Sequence, residues 1–162
     1  MRFHHMAIVT TDIAESIRFW RDVMGFELKV ARDLPDGTEP GPKVLAHGQL
    51  LDDIFKVRGA KSKVAALVSK EGAQIELQQP SVPQVRRTPP ERQRYADTGI
   101  HELALAVKDI DVFFKKIRDA GYDTQTDYIW STSTRGRSFI FYDHEGNMIQ
   151  IWQDGDNLAF PA

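Results

Sequence analysis

Two stretches of the chain carry the same order of apolar and polar positions. His5-Met6-Ala7-Ile8-Val9-Thr10-Thr11-Asp12-Ile13 aligns with Glu102-Leu103-Ala104-Leu105-Ala106-Val107-Lys108-Asp109-Ile110 at a constant spacing of 97 residues. Self-similarity at a fixed spacing marks a repeated structural unit. In each copy a short alternating run reads as a strand, and the aspartate that ends it stands where an N-cap accepts from the free amides of a helix. Ile13, Ile17, Trp20 and Met24 then follow in the first copy, and Ile110, Phe113, Phe114 and Ile117 in the second. Their spacing gathers large side chains on one helical face. Gly25 and Gly121 stand where such helices stop in a left-handed residue.

Beyond each glycine come further strand-like runs. In the first copy these are 26–31, 64–68 and 73–78; in the second they are 139–143 and 148–153, with 122–125 a weaker candidate. The closing hairpins turn at Lys70-Glu71-Gly72 and at His144-Glu145-Gly146-Asn147, both rich in turn formers. The order is βαβββ, written twice. Residues 1–79 form the first module, interrupted by a loop at 33–55 that carries Pro35, Gly37, Pro40, Gly41 and Pro42. Residues 80–99 read as a linker, with Pro83, Pro89 and Pro90 among the charges Arg86, Arg87, Arg92 and Arg94. The second module covers 100–154, and 155–162 is a tail. The expected class is α+β: two paired βαβββ modules whose strands make a cupped mixed sheet with helices outside.

Composition narrows the function. A chain of 162 residues, 41 % hydrophobic and 27 % charged, suits one domain or two small modules sharing a core, and excludes disorder as the main state. Lys and Arg total 21 against 23 Asp and Glu, a net charge of -2, so no strong field draws the protein to nucleic acid or membrane. The start of the chain lacks the apolar run of a secretory signal, and no stretch has the roughly 18 consecutive apolar residues of a membrane span. A cytoplasmic protein is expected. Cysteine is absent, which excludes a disulfide framework, a thiolate metal site and a cysteine nucleophile. No phosphate-binding glycine loop, hydrolase nucleophile motif or nucleic-acid module is present.

Strand parity then isolates a set of polar side chains. Leu103, Leu105 and Val107 share one face of their strand while Glu102, Ala104 and Ala106 share the other, and His5 takes the corresponding place in the first copy. In the last strand of each copy, Glu76 and Gln150 alternate with Ile75, Leu77, Ile149 and Ile151. His5, Glu76, Glu102 and Gln150 are therefore related by the repeat. Alternation alone leaves two readings open: ordinary polar residues on a solvated sheet face, or a set of metal ligands. One imidazole, two carboxylates and an amide oxygen suit a single divalent ion such as zinc, nickel, cobalt, manganese or ferrous iron.

The motifs His5 to Asp12, Phe19-Trp20-Arg21-Asp22-Val23-Met24-Gly25-Phe26, Ile75-Glu76-Leu77, Gly99 to Ala104 and Asp143-His144-Glu145-Gly146-Asn147-Met148-Ile149-Gln150 span nearly the whole chain. With them the sequence resembles the vicinal oxygen chelate superfamily, which includes glyoxalase I, methylmalonyl-CoA epimerase, extradiol dioxygenases and the fosfomycin and bleomycin resistance proteins. The resemblance implies paired βαβββ modules around one divalent metal, with ligands at His5, Glu76, Glu102 and Gln150. Many relatives have histidine where Glu102 stands and glutamate where Gln150 stands; the set here resembles the ligand inventory of glyoxalase I, differently distributed. It departs from the pattern of two histidines and one carboxylate used in iron-dependent ring cleavage. His101 is assigned a structural role by its parity, and His144, in place of a usual proline, a turn role. Homodimerisation is expected from the same resemblance.

The expected activity is that of a metal-dependent lyase or isomerase on a small molecule with adjacent oxygens. Glu102 or Glu76 would move a proton alpha to a carbonyl through a metal-stabilised enolate. Arg135 and Arg137, flanking a glycine, are candidate donors to a substrate carboxylate or phosphate, and Tyr128 and Trp130 candidate pocket walls. The loop at 33–55 is a candidate cover that sets specificity. The alternatives are a metal-free protein that sequesters a small molecule such as an antibiotic and, less favoured, an extradiol-type dioxygenase.

Overall fold

In the computed structural model, which describes residues 3–155 except 94, 97, 133 and 134, each aspartate of the repeat starts a helix. Asp12 and Asp109 both sit in extended backbone, and their carboxylates accept from the amides of Glu15 at 3.0 Å and Val112 at 3.1 Å. The helices that follow are α1 (Ile13–Arg18) and α3 (Ile110–Asp119). Gly25 and Gly121 take φ of 81° and 84°, the left-handed conformation expected of them. A second lock on each helix was not apparent from the apolar pattern. Gln79 accepts from the Ile13 amide at 3.1 Å and donates to the Thr11 carbonyl at 2.7 Å, while Gln153 accepts from the Ile110 amide at 2.8 Å. Both glutamines come from the last strand of their own module, so strand and helix start are tied directly.

The chain divides into two units, Met1–Arg87 and Thr88–Ala162. The first is built on a sheet of order β1-β4-β3-β2, comprising β1 (Met6–Val9), β2 (Glu27–Leu34), β3 (Lys61–Val68) and β4 (Gln74–Val82). β1 runs parallel to β4 and the other pairs are antiparallel. Leu67, Ile75 and Leu77 are fully buried on the face that packs against α1. Register places Val64 opposite Gln78 and Ala66 opposite Glu76, so these four share the other face.

The single long helix expected from Ile13, Ile17, Trp20 and Met24 is two pieces. After Arg18 the backbone widens into a π-helical turn, Phe19–Val23, in which the Met24 amide donates to the Phe19 carbonyl at 3.0 Å. The rotation buries both Phe19 and Trp20, each 1 % exposed, and sets Trp20 edge-on to Phe26 at 5.1 Å.

The segment 33–55 is more than the loop that its prolines and glycines imply. β2 continues to Leu34, and Gly48–Phe55 forms the helix α2, capped by His47, whose Nδ1 accepts from the Leu50 amide at 3.4 Å. Leu51 is buried against Leu34, Ala46, Ala60 and Val64, with Phe55 and Val57 packed beside them. Eight residues are too few to hold a helix alone in water, so this apolar contact supplies its stability. Leu34 lies opposite Ser62 and Val64 opposite Gln78, so α2 covers part of the sheet face that bears Glu76. Asp36 anchors the start of the insertion. The Ala46 and Leu45 amides donate to its carboxylate and Arg32 pairs with it, which lowers its pKa to about 2.

The second unit has sheet order β5-β8-β7-β6, comprising β5 (Glu102–Ala106), β6 (Trp130–Ser131), β7 (Gly136–Tyr142) and β8 (Met148–Asp154). Ile110 and Ile117 of α3 and Phe139, Phe141, Ile149 and Ile151 of the sheet are buried, and Phe114 meets Phe139 edge-on at 4.9 Å. The weak strand candidate at 122–125 reduces to one bridge, Thr124 with Phe141; the fourth strand is β6. The architecture is α+β with βαβββ order in both units, as the repeat implies. The segment read as a linker begins within β4, which runs to Val82, and holds a 3-10 turn at Pro90–Arg92. Arg94, and the tail beyond Gly155, lie outside the described residues. Among the described residues, no helix is long and apolar enough to cross a membrane.

Candidate functional site

Each unit presents the same diagonal pair. In the first, Ala7 of β1 lies opposite Glu76 of β4, and His5 stands two residues ahead of Ala7. In the second, Ala104 of β5 lies opposite Gln150 of β8, and Glu102 stands two residues ahead of Ala104. Diagonal neighbours of this kind lie within reach of long side chains. The small alanines between them leave the space above the sheet open.

The pair in the first unit is in contact. His5 Nε2 is 4.0 Å from Glu76 Oε2, and their side chains are 39 % and 32 % exposed. Glu76 Oε1 accepts from Gln78 Nε2 at 2.6 Å, which fixes that carboxylate along its strand. On the other side of His5, a 2.7 Å hydrogen bond links its Nδ1 to that of His4. In the second unit, Glu102 Oε2 is buried and has no hydrogen-bond partner. A buried carboxylate oxygen without a donor costs about 1–3 kcal/mol or more, so its retention calls for a partner from outside the chain. Among the described residues no three His, Asp or Glu side chains are gathered to hold a metal ion, so what each unit offers is a pair.

The other sequence candidates fall on different faces. Trp130 lies opposite Ser138 in β7, and Ser138 lies opposite Trp152 in β8. Two tryptophans therefore flank a buried serine on the sheet face that carries Gln150, whose own neighbour in β7 is Ile140. Gly136 is required here. Its φ is 152°, and a Cβ would approach the Trp152 ring to 2.9 Å and collide with the Gln153 carbonyl oxygen. Trp152 lies close over this glycine and donates from its indole to Asp154 at 3.0 Å. The sequence reading did not single out Trp152, although its parity with Gln150 was the available signal.

Arg137 shares a strand parity with Phe139, which packs on α3, so it lies on the opposite face from Gln150. Its guanidinium makes two bonds to Asp111, at 2.6 and 2.7 Å, and these hold the Asp111 carboxyl below its usual pKa range. Arg135 is half-buried, and its carbonyl accepts from the Gly155 amide at 3.0 Å. Tyr128 is 59 % exposed in the connection before β6. Asp143 holds the closing turn of the second unit by accepting from the Glu145 and Asn147 amides at 2.9 and 2.8 Å, so His144 sits in a tight turn as expected.

A doubled βαβββ order with a polar pair at the same diagonal of each sheet defines a class. The sequence profile of the Glyoxalase/Bleomycin resistance protein/Dioxygenase superfamily matches residues 2–151, and the chain belongs to that superfamily. Solved structures share the fold at low identity. A glyoxalase family protein from Bacillus cereus matches with a TM-score of 0.78 at 16 % identity, over 95 % of this chain and 94 % of that one. The fosfomycin resistance protein FosX from Listeria monocytogenes gives 0.59 at 13 % identity, over 96 % and 95 %. An antibiotic binding protein from Streptomyces sp. CB03234 gives 0.55 at 16 % identity, over 96 % and 97 %. Among curated proteins, none matches the sequence significantly.

Proposed function

We propose that this protein is a metal-dependent lyase or isomerase that chelates a small substrate bearing adjacent oxygens and moves a proton alpha to a carbonyl. The observation that carries the reading is Glu102 Oε2, buried without a donor at the place where His5 stands in the first unit. The donors fit a divalent ion: an imidazole nitrogen from His5, carboxylates from Glu76 and Glu102, and an amide oxygen from Gln150. Such an ion, when bound, supplies Lewis-acid polarisation of the substrate's oxygens.

The chain's own residues divide the remaining work. Glu76, tied by Gln78, serves to hold and orient. Glu102 Oε2 has no hydrogen bond to break, so it is the atom that takes the alpha proton and returns it to the product carbon. Trp130 and Trp152 form an apolar wall on the face that bears Gln150. The reading carries with it a homodimer, as expected from the resemblance.

The test is elemental analysis of the purified protein and of Glu102→Ala and His5→Ala. Near-stoichiometric divalent metal that falls in both variants supports the reading, as does turnover of enolisable carbonyl compounds that chelation abolishes. Protein that neither holds nor takes up metal overturns it. The second reading, metal-free sequestration of a small antibiotic-like molecule, draws on the two tryptophans flanking Ser138. Tight binding of such a molecule by metal-free protein, with no turnover, favours it.

A further inference from the structure

The second unit contains a cavity of about 260 Å³ lined by Thr88, Arg92, Gln93, His101, Asn147 and Met148, among others. None of His5, Glu76, Glu102 or Gln150 lines it, and neither does any aspartate or glutamate among the described residues. Its polar walls are rich in donors: a guanidinium, two carboxamides, threonine hydroxyls and an imidazole. At roughly 30 Å³ per liquid water, the space holds about eight or nine waters, or one small molecule with part of its hydration.

Two of the donors are free. His101 Nε2 is buried and has no hydrogen-bond partner, although a buried ring nitrogen normally finds one. The Arg92 side chain makes no ion pair with any described residue, whereas Arg137 and Arg32 in this chain are each held by an aspartate. Gln93 has its place fixed: its amide donates to the Glu145 carbonyl at 3.0 Å. Asn147 is likewise fixed by its bond to Asp143 at 2.9 Å. A rigid rim around an unpaired cation and an unsatisfied imidazole is the arrangement that an oxygen anion completes.

The geometry points to a binding site for a small oxyanion, a carboxylate or a phosphate, held between Arg92 and His101. His101 presents its Nε2 as the N–H donor, and Arg92 supplies the compensating charge. None of the proposed metal ligands lines the site, although His101 is the chain neighbour of Glu102 and Met148 lies opposite Glu102 in the sheet.

The experiment titrates inorganic phosphate and, separately, malonate into the metal-free full-length protein, followed by calorimetry and by the imidazole resonances of the histidines. The expected result is one bound anion per chain with the His101 ring signals shifting. Arg92→Ala should weaken binding about ten- to a hundredfold, the worth of one charge-assisted hydrogen bond. His101→Gln should weaken it less, and Glu76→Gln should leave it unchanged. Stronger binding of phosphate or of malonate identifies which anion chemistry the site prefers. Absence of binding by both anions, or binding that Arg92→Ala leaves intact, overturns the proposal. Loss of binding in Glu76→Gln also overturns it, by moving the anion to the metal-ligand set.

Discussion

In the first unit the edge strand β2 has eight residues and is followed by α2, which folds over the sheet; in the second the matching edge strand, β6, has two. The helix starts, by contrast, are the same in both: aspartate cap, glutamine clamp from the last strand, left-handed glycine stop. The difference teaches which parts of a βαβββ unit carry structural demands. Pinning a helix to its sheet needs particular hydrogen-bond partners at fixed places, and those recur. The connection between helix and third strand needs only to return, and there the two units diverge.

The sharpest break of the comparison is chemical. Glu102→Gln is expected to lower turnover by about 10²- to 10⁴-fold, the usual worth of a general acid or base. Metal content should fall less than turnover. Glu76→Gln should reverse that order, affecting metal before chemistry, and kinetics alongside metal analysis of both variants would read it. Equal effects of the two substitutions would show that the units do not divide the labour.

Next in size is the insertion. Leu51→Ala should destabilise the first unit by about 2–5 kcal/mol, because Leu51 is 1 % exposed and its neighbours have only part of their surface to collapse with. Hydrogen exchange should rise in 48–55 before it rises in β3 and β4. Exchange that rises uniformly would mean that α2 and the sheet unfold as one.

The shared caps should respond alike. Asp12→Ala and Asp109→Ala are each expected to cost about 1 kcal/mol in urea denaturation. Unequal costs would show that the glutamine clamps, Gln79 with two bonds to its helix start and Gln153 with one, compensate to different degrees.

A last contrast separates the units by pH. Asp36 has its carboxyl lowered to about 2 by the Ala46 and Leu45 amides, against an unfolded value near about 3.9. Its contribution is therefore complete above about pH 4 and is lost as the pH falls toward 2. Asp36→Asn should remove that acid step, monitored by exchange of the Leu45 and Ala46 amides. A wild-type profile that is flat from pH 5 to 2.5 would contradict the anchoring role.

The features legible in the sequence are those decided within a few residues. Asp12, Asp109, Gly25 and Gly121 announce themselves because caps and stops are local, and Ile75, Leu77, Ile149 and Ile151 because a strand's period is two. Glu76 and Gln150 were assigned their sheet face by the same parity. What stayed hidden depends on distant contacts. α2 is held by Leu34, Ala60 and Val64 on other elements, and β6 is too short to show a period. Arg137, next to a glycine, reads as a substrate donor, and the partner that holds it, Asp111, lies 26 residues away. The clamps of Gln79 and Gln153 bridge 66 and 43 residues and leave no local trace.

The π-helical turn at Phe19–Val23 bears on how the two copies match in length. Asp12 and Asp109 are 97 residues apart, but Gly25 and Gly121 are 96 apart, so the first copy has one residue more between cap and stop. A π turn spends one more residue per turn than an α turn, and it sits between those two markers. It thus takes up the one-residue length difference between the two copies inside a helix, with both ends left in place. Any alignment of one half with the other should open its gap there, in the turn that buries Trp20.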